Sequence, residues 1–252
     1  MGSRPQTKGT KYGEISDDLR ERIVSGEYPP GAQIPGEDDL MSEWGVARET
    51  ARKALQVLRN EGLTEVHRGV GIFVRSFSRI RRDAVRRLSS EQWGGGRSIW
   101  DADVAERALD VEGVAVDEVK APEDVARVLD LGPDAMVCRR SRRYVVDGTP
   151  VMTAVSYLPA DIAAGTAIAE PDPGPGGIYA RLADLGFAPA EFREEVVSRM
   201  PRPAEVESLR LDVGTPVITI ARTAYAADGR AVEFNDMTLN AAAYVLDYRF
   251  SA

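Results

Sequence analysis

A single internal shift constrains this chain more than any motif it carries. Moving the sequence by 81 residues places Pro122 on Pro203, Val125 on Val206, Val128 on Leu209 and Val137 on Ile218. The same shift places Tyr144 on Tyr225, Asp147 on Asp228, Gly148 on Gly229 and Val151 on Val232. Each copy has a β-rich run, a short helical stretch opened by proline, then two β-rich runs joined at Asp-Gly. Asp-Gly favours a tight hairpin because both residues tolerate a positive φ that most side chains resist. Two β-α-β-β units predict one antiparallel sheet with pseudo-symmetry over the back of the chain. A further helix is expected from Ile178 to Leu185, behind the Pro- and Gly-rich loop 171–177.

The front of the chain obeys a different period. Ile15, Leu19 and Ile23 recur at four-residue steps, the stripe of an amphipathic helix stopped by Gly26. After a Pro-Pro-Gly turn, residues 32–34 predict a short strand. Leu40, Met41 and Trp44 mark a second helix closed by Gly45, and Ala51, Ala54, Leu55 and Leu58 the inner face of a third. Two β-type runs, Leu63 to His67 and Ile72 to Ser76, flank Arg68-Gly69-Val70-Gly71 and predict a hairpin. Three helices followed by a two-stranded wing is the winged helix-turn-helix plan. Residues 1–11 read as a disordered tail, 12–77 as this unit, 78–97 as a basic and Gly-rich solvated linker, and 98–252 as the second unit. The fold class is therefore α+β: a winged helix-turn-helix joined to an antiparallel sheet domain with helices.

Charge divides along the same line. The whole chain carries −8, yet residues 1–87 hold 16 Lys and Arg against 13 Asp and Glu, a net +3. The remainder holds 16 against 27, a net −11. A mildly basic front on an acidic back points to nucleic acid for the front alone. One Cys, Cys138, and one His, His67, exclude an intrachain disulfide and a Cys/His zinc cage. A Ser-His-Asp triad would have to use His67, which falls in the wing. No nucleophile motif, phosphate-cradling Gly loop or obvious carboxylate pair stands out, so no catalytic residue, metal site or cofactor is assigned. No apolar run reaches about 18 residues, so no membrane partner is expected, and the first residues lack the apolar core of a signal peptide. A cytoplasmic protein is the expectation.

On the third helix Arg48, Glu49, Thr50, Arg52, Lys53 and Gln56 lie off the apolar stripe. Arg48 and Arg52, four apart, share a face. An arginine can grip guanine O6 and N7 with two parallel hydrogen bonds, worth ~1–3 kcal/mol of discrimination. Thr50 is short enough for a phosphate or a thymine methyl. In the back unit Arg140, Arg142 and Tyr144 alternate and so share one face of a strand. Arginine forks suit phosphate or carboxylate, and Arg222, Glu233 and Asp236 of the second copy are placed to meet the first.

These residues carry a family resemblance. Residues 12–74, with Ile-Val-Ser-Gly-Glu-Tyr-Pro-Pro-Gly (23–31), Ile-Pro-Gly-Glu (34–37), Val-Ala-Arg-Glu-Thr-Ala-Arg-Lys-Ala-Leu (46–55), Glu-Gly-Leu (61–63) and Gly-Val-Gly-Ile-Phe-Val (69–74), resemble the GntR family of bacterial transcription regulators. The resemblance implies that Arg48 and Arg52 read guanines in a major groove, with Thr50 alongside, and that His67, Arg68 and Gly69 enter the minor groove. Three positions depart from the family pattern: Gly36 and Ala47 stand where helix-starting Ser is usual, and Asp38 where a basic residue is frequent.

The back half is similar to the UTRA effector domain of the HutC branch, a fold like chorismate lyase. The similarity rests on Val-Asp-Gly-Thr-Pro-Val (146–151), Ser-Tyr-Leu-Pro-Ala (156–160), Leu-Gly-Phe (185–187), Gly-Thr-Pro-Val (214–217) and Asp-Gly-Arg-Ala-Val-Glu (228–233). It implies a homodimer and an effector held by arginines of the 140–143 strand and by Glu233, so Arg143 stays a candidate beside Arg140 and Arg142. Ala154 stands where a second acid is often found, which counts against an amino sugar. The expectation is a ligand-responsive regulator of a nucleoid-associated bacterial type, a repressor on double-stranded palindromic operator DNA. Its effector would be a phosphorylated sugar, an organic acid or a signalling lactone or furan. The alternatives are a lyase-like enzyme in the back half and a constitutive DNA-binding scaffold.

Overall fold

The computed structural model describes residues 9–67, 69–76, 79–96, 99–104 and 107–249. They divide into two compact units: residues up to 76 with 212–215, and 79–211 with 216–249.

In the first unit, α1 (Lys11–Val24) starts one residue inside the expected tail, where the Thr10 hydroxyl accepts a hydrogen bond from the Gly13 N–H. Then come β1 (Gln33–Ile34), α2 (Glu37–Trp44), α3 (Arg48–Asn60), β2 (Thr64–His67) and β3 (Gly71–Val74), with the strands in the antiparallel order β1-β3-β2. Ile15, Leu19, Leu40, Ala51, Ala54, Leu55 and Leu58 fill one core with Ile34 and Val74. The four-residue stripes thus fall where period 3.6 puts them. Gly36 and Ala47 occupy the N-caps of α2 and α3, and neither helix receives a side-chain cap from them.

The second unit opens with β4 (Ile80–Asp83), α4 (Ser90–Gly94) and α5 (Asp101–Val104), followed by β5 (Leu109–Lys120), α6 (Glu123–Val128), β6 (Met136–Val146) and β7 (Thr149–Pro159). After α7 (Ala160–Ala163) and α8 (Gly177–Asp184) come β8 (Pro189–Arg199), α9 (Pro203–Leu209), β9 (Val217–Ala226), β10 (Ala231–Asn240) and β11 (Tyr244–Asp247). Six strands form an antiparallel sheet in the order β5-β6-β7-β10-β9-β8, so each repeat contributes one half. Val155 pairs with Asp236 where the halves meet. Those two residues are equivalent under the shift of 81, so the pseudo-twofold axis passes between them. The β6–β7 turn has Asp147 at φ 49° and Gly148 at φ 75°, as a tight hairpin requires. Helices α6 and α9 cover one face of the sheet.

The basic stretch expected as a solvated linker is built into this second unit. β4 pairs in parallel with β11, Trp93 of α4 is buried, and the side chains of Arg82 and Arg87 are fully buried. Composition suggested solvation; carboxylates remote in sequence instead receive these cations. On the sheet's other face Gly176 (φ 79°) donates its N–H to the Gly96 carbonyl at 3.0 Å, tying loop 171–177 to the residues after α4.

A Cβ at Gly176 would lie 2.5 Å from the Trp93 carbonyl oxygen and 2.6 Å from Ala180 Cβ. Gly176→Ala is therefore expected to cost about 2–5 kcal/mol in urea unfolding, combining overpacking with left-handed strain. Gly229→Ala, with φ 85° but open space around it, should cost only about 1–2 kcal/mol.

Candidate functional site

The DNA-facing candidates project from the outer side of α3. Arg48, Glu49, Arg52 and Lys53 are exposed, and Thr50 is partly so. Arg52 Nε donates to Glu37 Oε1 at 3.1 Å, and Arg48 Nη2 donates to Asp38 Oδ1. Glu49 lies 3.5 Å from Arg52 and 3.8 Å from Lys53, so both ordinary ion pairs and a cationic surface coexist on this helix. At the wing, His67 stacks on Phe73 with ring centroids 4.7 Å apart, and exposed Gly69 takes φ 75°. The expected wing contact Arg68 lies outside the described residues.

In the second unit, strand alternation brings Arg140, Arg142 and Tyr144 of β6 to one cavity together with Arg222 of β9 and Glu233 of β10. Its volume is about 690 Å³, within the range of small-molecule pockets. Ile99, Trp100 and Leu109 supply apolar wall, and loop 171–177 with Ile178 and Tyr179 closes another side. Trp100 packs on Tyr144 with ring centroids 4.3 Å apart.

The three arginines do different things. Arg140 is buried, and its guanidinium donates to the carbonyls of Ile168, Glu170 and Pro171, the last at 3.0 Å. It shapes the loop that forms the cavity wall. Burial, with Arg142 beside it, pulls its pKa below the usual value. Arg142 donates to Tyr144 Oη, Ser156 Oγ and the Arg140 carbonyl at 2.9–3.0 Å, all neutral acceptors. Among the described residues no carboxylate pairs with it. Arg222 has Glu233 Oε2 at 3.8 Å, while its buried Nε and Nη1 have no hydrogen-bond partner there. Tyr179, held protonated by burial, donates to Glu233 Oε2 at 2.6 Å.

Two expected members belong to the other face. Arg143, one residue out of phase with Arg142, pairs with Glu112 and donates to the Ser208 carbonyl of α9 at 3.2 Å. Asp236 is three residues beyond Glu233, hence on the opposite side of β10, exposed and near Asp124 of α6. Sequence reasoning missed Tyr179, Trp100 and Ser156. Trp100 lay just past the Gly run, and the alternation Ala154, Ser156, Leu158 on β7 was the available signal for Ser156.

Beneath the cavity lies buried charge. Arg82 forms a two-point ion pair with Glu194, and Arg87 Nη2 lies 3.1 Å from Asp103 Oδ2 with its guanidinium 4.2 Å above the Trp100 ring. Burial opposes the ionisation of Glu194, but Arg82 outweighs it and holds the carboxyl below its ordinary range. Desolvation lowers Arg87 to about 10, against the pull of Asp103, so it stays a cation at neutral pH.

The pattern of the bacterial regulatory proteins of the gntR family matches residues 11–74, and that of the UTRA domain matches residues 105–245. The chain belongs to the GntR family. It is 34% identical over 238 residues to the uncharacterized HTH-type transcriptional regulator SCO4628 of Streptomyces coelicolor, covering 90% of this chain and 87% of that one. It is 23% identical over 253 residues to MngR of Escherichia coli K12, the mannosyl-D-glycerate transport/metabolism system repressor, covering 100% and 96%. A crystal structure of a GntR-family regulator superposes with a TM-score of 0.64 at 27% identity, covering 96% of this chain and 98% of that one. This GntR regulator therefore couples a DNA-binding helix-turn-helix unit to a UTRA effector-binding domain. Among the described residues no helix is long and apolar enough to cross a membrane.

Removing one partner of a buried ion pair leaves the other charge stranded. Glu194→Gln is expected to destabilise the protein by about 3–5 kcal/mol in denaturant unfolding. Asp117→Asn, which breaks the half-exposed pair with Arg139, should leave the denaturant midpoint close to that of the unaltered protein.

Proposed function

We propose that the protein is a homodimeric repressor that leaves a palindromic operator when a small organic anion fills the UTRA cavity. One observation carries this reading. A single chain combines an exposed arginine pair on α3 with a cavity in which, among the described residues, Arg142 has only neutral hydrogen-bond partners and Arg222 keeps buried donors without a hydrogen-bond partner. A carboxylate or phosphate on the ligand would supply those acceptors, and charge-assisted hydrogen bonds are the strong ones. Trp100, Ile99 and Leu109 favour a ring or an apolar body beyond the anionic end. Phosphorylated sugars, organic acids and anionic lactone- or furan-derived signals meet that description. The name of the relative MngR, a repressor, supports repression as the output.

Arg48 and Arg52 are the proposed guanine readers, with Thr50 beside them and Glu49 and Lys53 on the rim. His67, Arg68 and Gly69 are the proposed minor-groove contacts. A twofold dimer places two such surfaces on two half-sites, which makes the operator a palindrome. Release requires the effector to favour the DNA-free state, and a coupling of ~1–3 kcal/mol suffices for a 5–150-fold change in DNA affinity.

Arg48→Ala is expected to erase the preference for operator over random duplex while leaving random-duplex binding within about 3-fold, as read by fluorescence anisotropy. Equal losses on both duplexes would refute base reading. A thermal-shift screen of phosphorylated sugars, organic acids and lactone or furan acids should give a stabilising ligand that also releases DNA. Arg142→Gln should abolish that stabilisation without lowering the ligand-free melting temperature by more than a few degrees. A ligand that stabilises Arg142→Gln equally well would place the anion elsewhere.

A further inference from the structure

The two arginines of α3 already meet carboxylates of α2. Arg48 bonds to Asp38 through Nη2, and its Nη1 lies 3.7 Å from Glu37 Oε2. Glu37 also accepts from Arg52 Nε at 3.1 Å, so one carboxylate stands between both guanidinium groups. The third acid of the run, Asp39, is engaged differently: its Oδ2 accepts the Gly36 N–H at 2.9 Å. Asp38 is 78% exposed and Arg48 55%. A pair this wet contributes little to folding, so its consequence has to be sought at the bound surface.

A phosphate and a base edge meet this pair differently. Phosphate carries a full negative charge, and to reach Arg48 or Arg52 it must displace a carboxylate and then remain beside Asp38 and Glu37. A guanine edge offers O6 and N7, which are acceptors without a net charge. It can bond the outward donors while the carboxylate stays behind the guanidinium and keeps it oriented. Phosphate contacts are the same on every duplex, whereas guanine edges fall in register with Arg48 and Arg52 only where the sequence places them there. The acids therefore penalise the contact that carries no sequence information and spare the one that does.

We propose that Asp38, seconded by Glu37, is a specificity-determining residue: it reserves Arg48 and Arg52 for base edges and suppresses binding to non-cognate DNA. This rests on the base-reading role assigned to the two arginines above. Asp38 acts through Arg48 and is a positioning residue.

The test uses the full-length protein, a random-sequence duplex and the duplex that the wild-type chain enriches from a random pool. Asp38→Asn preserves shape and removes the charge. It should tighten random-duplex binding about 3- to 5-fold at low salt, the equivalent of the ~1 kcal/mol ceiling of an exposed pair. It should leave the enriched duplex within about 2-fold and steepen the slope of log K against log salt on random duplex by about one. Asp38→Glu should restore the wild-type ratio, and in an Arg48→Ala background Asp38→Asn should produce no tightening. If the wild-type chain enriches no sequence, base reading fails and the proposal falls with it. If it does enrich one, and Asp38→Asn leaves the ratio and the slope unchanged or weakens both duplexes equally, Asp38 has no such role and base reading stands.

Discussion

Six buried charges organise the UTRA unit: Arg82 with Glu194, Arg87 with Asp103, and Arg222 with Glu233. The first two pairs join elements that the chain separates, and the third links the two strands of one hairpin. Arg82 lies in β4 and Glu194 in β8, Arg87 in the turn after β4 and Asp103 in α5, and Arg222 and Glu233 in the neighbouring strands β9 and β10. Desolvating an ion costs several kcal/mol, so such pairs persist only where geometry and further contacts offset the penalty. Arg82 meets its carboxylate at two points, and Arg87 adds the Trp100 ring face. The segment that follows the DNA-binding unit is thereby anchored in the effector domain by charge, where a solvated tether would have left it free.

The repeat explains the frame, and divergence within it explains the cavity. Two β-α-β-β copies meet at the Val155–Asp236 pair and build a six-stranded sheet whose halves are alike in proline-opened helices and strand order. Their chemistry differs where the ligand site lies. The sheet register sets Ile220 at the place of Arg140, and the shift of 81 sets Met152 at that of Glu233. The cavity takes its arginine row from the first copy and its Arg222 and Glu233 from the second, so it is a single site on a pseudo-symmetric sheet.

What the sequence revealed follows from the range of each interaction. The helices of the first unit were legible because Ile15, Leu19, Ala51, Leu55 and Leu58 obey a local period, and local spacing decides which face is buried. The two hairpins were legible because Asp-Gly is a local conformational requirement. The burial of Arg82 was not, since its partner Glu194 is 112 residues away and nothing near Arg82 announces it. The cavity was read in part: Arg140, Arg142, Tyr144, Arg222 and Glu233 converge, while Arg143 and Asp236 do not. Strict two-residue alternation along β6 and β10 already separates those two from the rest. Tyr179 and loop 171–177 close the pocket through a backbone bond from Gly176 to Gly96, a pairing no periodicity encodes.

The same arginine chemistry runs through both units with opposite electrostatic settings, and the contrast bears on how the protein divides its work. On α3 the guanidinium groups are exposed and already meet carboxylates, so a new ligand must compete with an existing partner and gains little from charge alone. Discrimination there has to come from the geometry of the acceptor. In the UTRA cavity Arg142 is held by Tyr144, Ser156 and a carbonyl, and Arg222 keeps buried donors that have no hydrogen-bond partner among the described residues. An unsatisfied buried donor costs ~1–3 kcal/mol, and a ligand that supplies the acceptor recovers that penalty on binding. On the proposed reading, charge is screened where sequence is read and left unspent where a small anion is detected.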